Sequence, residues 1–197
     1  IMFIKLLKKA PLVLLALNFM ACSFLTPATP SPNAVDIEKE EQAVYAFFVS
    51  GNTGTAIILQ DTATNISSDD PQESIDYIKS GLPGISSETI TNYLGRNTQP
   101  SQLSPDMQLS VNYVLLSADE LSAIMGQADG WAVFNEKYPN SHGYTVFSRV
   151  GFNNSLDQAV VYVGSVAGPM MGAGFYYLME KKNGDWVIKE QVMVWIS

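Results

Sequence analysis

The chain of 197 residues has one cysteine, one histidine and two arginines, and each shortage removes a class of chemistry. A single cysteine permits no disulfide within the chain, so the fold has to be held by its core. One histidine beside one cysteine falls short of the four-ligand Cys/His sets that hold structural zinc. Any triad or metal site that uses histidine must use His142. Basic residues are scarce as well, with 11 Lys and Arg against 19 Asp and Glu. Nucleic-acid binding rests on basic side chains that neutralise phosphate, so that class of partner is excluded.

Familiar catalytic and cofactor motifs are missing too. There is no phosphate loop, and Gly172-Ala173-Gly174 lacks a third glycine and leads into a strand-like run where a dinucleotide fingerprint would open a helix. Around Ser165 the nucleophile-elbow pattern fails because Val163 stands where its first glycine belongs. Asp61, Asp69 and Asp70 lack the twelve-residue spacing of a helix-loop-helix calcium site and read as solvated surface plus a helix cap. No cofactor and no metal are expected.

Apolar runs are short, and the one at the start of the chain is the most informative. Lys5, Lys8 and Lys9 precede a stretch from Ala10 to Met20 that is apolar except for Asn18, followed by the small Ala21 and the lone Cys22. This order of charge, apolar run and small residue is that of a secretory signal. The run is too short for a bilayer span, which takes roughly 20 residues. Ala21-Cys22 resembles the lipobox of bacterial lipoproteins, although Phe19 and Met20 stand where that family prefers Leu and Ala or Ser. The resemblance implies acylation of Cys22, cleavage before it, and a cell-envelope location. Ser23 in place of Asp implies the outer membrane in a host with two membranes, and secretion is the alternative. Without residues 1–21, eight basic residues would face nineteen acidic ones, a net charge of −11. Contact with the membrane would then depend on the acyl chains, each buried methylene contributing about 0.8 kcal/mol.

Pro27, Pro30 and Pro32 among small polar residues make 22–35 a tether, extended at about 3.1 Å per residue. The rest, 36–197, is of the size of one domain. Helical spacing predicts helices at 36–50, 71–80, 87–94, 118–125 and 131–138, with capping boxes at Asp70-Pro71-Gln72-Glu73 and Ser117-Ala118-Asp119-Glu120. Trp131, Phe134 and Tyr138 form an aromatic stripe that reads as core. β-rich runs at 55–64, 107–116, 143–152, 158–166, 174–182 and 186–196 predict strands, the last four joined as a meander, with Asn183-Gly184 as its clearest hairpin turn. The expectation is a single α+β domain with a mainly antiparallel sheet and helices packed on one face.

The candidate site residues follow from rarity and placement. Arg149 interrupts an apolar strand. It is read as a solvated sheet residue, as paired with a carboxylate, with Asp61 or Glu180 the candidates, or as gripping an anionic ligand in a pocket with Tyr138, His142 and Asn153. Met170 and Met171, in a glycine-rich connection, are candidate partner contacts. The segments FSRVGFN (147–153), VVYVG (160–164), GAGFYYLMEKKNGDW (172–186) and WIS (195–197) resemble a pattern in uncharacterised secreted or lipoprotein-type bacterial proteins. The order of one helix and then a curved sheet is similar to nuclear transport factor two-like, or cystatin-like, folds, which implies a pocket without fixing an activity. The leading reading is a non-catalytic envelope lipoprotein whose domain binds a protein partner or small ligand or has a structural role. An envelope hydrolase using His142 and a carboxylate, or a small-ligand-binding protein with a pocket near His142 and Arg149, is the alternative.

Overall fold

The computed structural model describes residues 33–64, 66 and 70–197. Cys22 and most of the expected signal and tether lie outside the described residues.

Asn33 caps α1 (Ala34–Val49) by accepting from the Asp36 amide at 2.9 Å, so the last residues assigned to the tether already belong to the helix start. β1 (Ala56–Leu59) follows, then α2 (Pro71–Gly81) and α3 (Ser87–Arg96). Both expected capping boxes form: Asp70 accepts from the Glu73 amide at 3.0 Å, and Ser117 accepts from the Glu120 amide at 3.2 Å. β2 (Tyr113–Leu116), α4 (Ala118–Met125) and α5 (Gly130–Lys137) lead into β3 (Tyr144–Phe147), β4 (Gly151–Phe152), β5 (Gln158–Gly168), β6 (Met171–Lys182) and β7 (Asp185–Ile196).

These strands make one seven-stranded sheet in the order β2-β1-β3-β5-β6-β7, with β4 also on β5. The meander forms as expected, and Asn183 and Gly184 at its last turn both take positive φ. The first two strands are different: β1 pairs in parallel with both β2 and β3, because helices lie between them in the chain.

Alternation along the strands sends side chains to two cores. On one face Ala56, Ile58, Phe147, Val161 and Met179 meet Val44, Tyr45 and Val49 of α1. On the other, Val160, Tyr162, Tyr176 and Leu178 meet α2 and α3 through Ile78, Ile90 and Tyr93, while Ile57 and Leu116 meet α4 and α5 through Ile124 and Phe134. Four helices thus share one face, and α1 lies alone on the opposite one. The aromatic stripe is core: Phe134 is fully buried, and Trp131 and Tyr138 pack against its cluster.

Two expected segments change character. The run 143–152 is not one strand. Phe147 lies opposite Val163 and Gly151 opposite Val160, so three residues face two and the extra one forms a β-bulge. This shifts the phase, and Phe147, Val150 and Phe152 all point to the α1 side, where strict alternation would have separated them. The glycine-rich connection is not a wide loop. β5 continues to Gly168 and β6 starts at Met171, leaving Pro169 and Met170 as the turn. Its glycines make room for rings. A Cβ on Gly174 would lie 2.2 Å from Trp195 Nε1 and 2.7 Å from the Tyr162 hydroxyl, to which the indole donates a hydrogen bond at 2.7 Å.

Candidate functional site

Past Ser148, whose amide still donates to the Tyr162 carbonyl at 3.0 Å, the bulge takes Arg149 and Val150 out of regular pairing, and α1 fills that gap with Glu41, which is 5% exposed. Glu41 Oε1 accepts from Arg149 Nε at 2.8 Å, from the Val150 amide at 2.8 Å and from the Tyr45 hydroxyl at 3.1 Å. Oε2 accepts from Arg149 at 2.7 Å and from Arg96, at the end of α3, at 2.9 Å. Both arginines of the chain therefore converge on one carboxylate.

Burial pushes the Glu41 carboxyl up, but the Arg149 hydrogen bond, the charges of Arg96 and Arg149 and the Val150 amide outweigh it, leaving the group below its ordinary value. Arg149 is raised chiefly by its bond to Glu41. Burial first, and then the Glu41 charge, push the Tyr45 hydroxyl well above its ordinary value, so it stays a donor, to Glu41 and to the Ser148 carbonyl at 2.9 Å. Asn97 completes the arrangement: its side chain accepts from the Arg149 amide and donates to the Arg149 and Tyr93 carbonyls, at 2.9, 2.9 and 2.8 Å.

Beside this cluster, between α1, the end of α3 and the segment 102–107, lies a cavity of about 430 Å³. Its walls include Arg96, Arg149, Glu41 and Glu38, together with the apolar Ile37, Leu103 and Met107.

The other residues singled out in the sequence are elsewhere. Neither Asp61 nor Glu180 partners Arg149: Asp61 bridges Gln102 in the backbone and Glu180 pairs with Lys182 at 2.8 Å. Tyr138, which ends α5, donates to Glu120 at 3.0 Å, a carboxylate that also pairs with Lys137. His142 is exposed and shares a 3.3 Å hydrogen bond with the Thr53 hydroxyl, and among the described residues no carboxylate pairs with it. Asn153 shapes the turn before β5, accepting from the amides of Asp157 and Gln158 at 3.1 and 3.0 Å. None of the three lines the cavity that holds Arg149. Asp70 caps α2, and Asp69 lies outside the described residues.

Met170 and Met171 are 82% and 65% exposed at the β5–β6 turn. α1 runs antiparallel to β6, since Glu40 pairs with Lys181 at 2.6 Å and Phe48 packs on Tyr177 further along. The methionine turn is thus at the end of the sheet opposite the start of α1.

Sequence reasoning missed Glu41 and Arg96. Glu41 sits in the run Glu38-Lys39-Glu40-Glu41, which reads as a solvated helix face. The available signal was periodicity: Glu41 falls three and four residues before Val44 and Tyr45, on the stripe that faces the sheet.

Fold and site together define a single-domain α+β protein with one helix clamped to a bulged sheet by a buried ion triad, next to an amphipathic cavity. No family model matches the chain, and neither a curated protein nor a solved structure matches it.

Proposed function

We propose that the protein is a cell-envelope lipoprotein, held at the membrane by acyl chains on Cys22, whose α+β domain works by binding rather than by catalysis. The observation that carries this reading is the order of Lys5 to Lys9, the apolar run to Met20, Ala21 and the lone Cys22. The arrangement of the domain supports it. α1 starts at Ala34, twelve positions after Cys22 and past three prolines, so the intervening chain has the composition of a spacer. Among the described residues no helix is long and apolar enough to cross a membrane, so attachment in this reading falls to the lipid.

Intact-mass measurement on the protein from its own cells tests the reading. A chain that starts at Cys22 and is heavier by two or three acyl groups is expected, together with partition into the detergent phase. Cys22→Ser is expected to leave an unacylated protein in the aqueous phase. An unmodified wild-type chain would overturn the proposal.

A further inference from the structure

We infer that the cavity beside α1 binds a small amphipathic monocarboxylate, its carboxylate held by Arg96 and its apolar part lying against Ile37, Leu103 and Met107. This goes beyond lipid attachment and does not depend on it.

The first observation is an imbalance of charge and of donors. Two guanidinium groups meet one carboxylate, so the triad carries an excess positive charge. Glu41 already accepts five hydrogen bonds, more than the about four lone-pair sites of a carboxylate, and has no capacity left. Arg149 is well used, with two bonds to Glu41 and a third, at 3.4 Å, to Ser101 Oγ. Arg96 is not. It gives Glu41 a single bond, and its Nε is buried without a hydrogen-bond partner among the described residues. A buried donor without a partner costs about 1–3 kcal/mol, which a matching acceptor recovers.

The second observation is access. The Arg96 side chain is 20% exposed and is among the residues that line the cavity. A planar guanidinium matches a carboxylate through paired, charge-assisted hydrogen bonds. The lining also has apolar members, with Leu103 and Met107 each 5% exposed and Ile37 packed against the same core. A volume of about 430 Å³ falls at the lower end of small-molecule sites, which run to roughly 300–1,000 Å³.

The third observation sets the charge of the ligand. Glu38 stands exposed on the same wall and raises Arg149 through its charge. It repels a second negative group, so a monocarboxylate with an apolar tail fits where phosphate or a dicarboxylate does not.

Because the chain has only Arg96 and Arg149, the nitrogen-15-labelled full-length protein has two arginine Nε–H resonances, and a titration reads each separately. With hexanoate as probe at neutral pH, the Arg96 resonance is expected to shift to saturation, with Arg149 moving less. Hexanol and inorganic phosphate at equal concentration are expected to leave it in place. Ala34→Trp narrows the cavity from the first turn of α1 without touching the triad, and is expected to weaken hexanoate binding at least tenfold at an unchanged urea midpoint. An unmoved Arg96 resonance, an equal response to hexanol or phosphate, or undiminished binding by the folded A34W protein would each sink the inference.

Discussion

The two ends of the long antiparallel strands are secured by opposite means. At the bulge end the backbone departs from regular pairing, and charge repairs it: Glu41 reaches from another element to the Val150 amide and two guanidiniums, while Asn97 takes the Arg149 amide and carbonyl. At the methionine end β5 and β6 stay in register almost to the turn, β6 and β7 slip by one residue beside Gly174, and missing side chains secure the end, with Gly164 and Gly174 leaving room for the Tyr162 ring and Trp195. An irregular backbone exposes polar groups that need designated partners. Large rings packed over a strand need space instead. The first end should fail through unpaired charge and the second through crowding.

The largest effect is expected from Glu41→Ala, which leaves two largely buried guanidiniums, the Tyr45 hydroxyl and the Val150 amide without their acceptor. A loss of about 3–5 kcal/mol, as for one partner of a buried ion pair, is expected in urea unfolding. A loss below 1 kcal/mol would show that the bulge end does not depend on charge.

Acid should act on the same end. The Glu41 carboxyl is depressed in the folded protein, so its contribution is fully present above the ordinary carboxylate value of 4.5 and disappears as pH falls through the lower folded value. Unfolding midpoints measured from pH 6 down to pH 2 should fall more steeply for the wild type than for Glu41→Gln. Parallel curves would contradict the assignment.

Crowding at the other end is probed by Gly174→Ala, whose added methyl would meet Trp195 Nε1 at 2.2 Å. About 1–3 kcal/mol is the usual cost of such overpacking. The loss should be independent of pH over the same range, which separates it from the Glu41 variants. Smallest of all, Met170→Ser and Met171→Ser should change stability by less than about 0.5 kcal/mol, because both side chains are largely in solvent. A larger loss would place the turn within the core of the fold.

Most of the local structure was legible because it rests on local chemistry. Asp70 and Ser117 announce helix starts through capping groups three residues away, and Asn183-Gly184 announces a turn through the backbone angles it tolerates. The single-domain α+β class and the C-terminal meander follow from such signals. What was not legible depends on distant partners. Arg149 and Glu41 are 108 positions apart, and nothing in a charged helical run says which acid turns inward. The bulge at 148–150 was hidden because FSRVGF scans as an alternating strand; only the Ser148 hydroxyl bonding the Tyr162 amide at 2.8 Å, and Glu41 bonding the next amide but one, reveal the extra residue. The expected gathering of Tyr138, His142 and Asn153 around Arg149 rested on nearness in sequence, and the three serve different turns and helix ends.

The direction of α1 has a mechanical consequence. A pull entering at Asn33 runs along the helix axis and loads it in shear against β6, and after Ile37 the next grips are the carboxylates: Glu40 on Lys181 and the Trp186 indole, then Glu41 on the two arginines. The apolar grips of Val44, Tyr45 and Val49 come behind them. Tension would therefore strip the helix from its charged front towards its greasy rear, and acid loosens that front at Glu41. Under such a pull α1 is the shackle, and Glu41 is its pin.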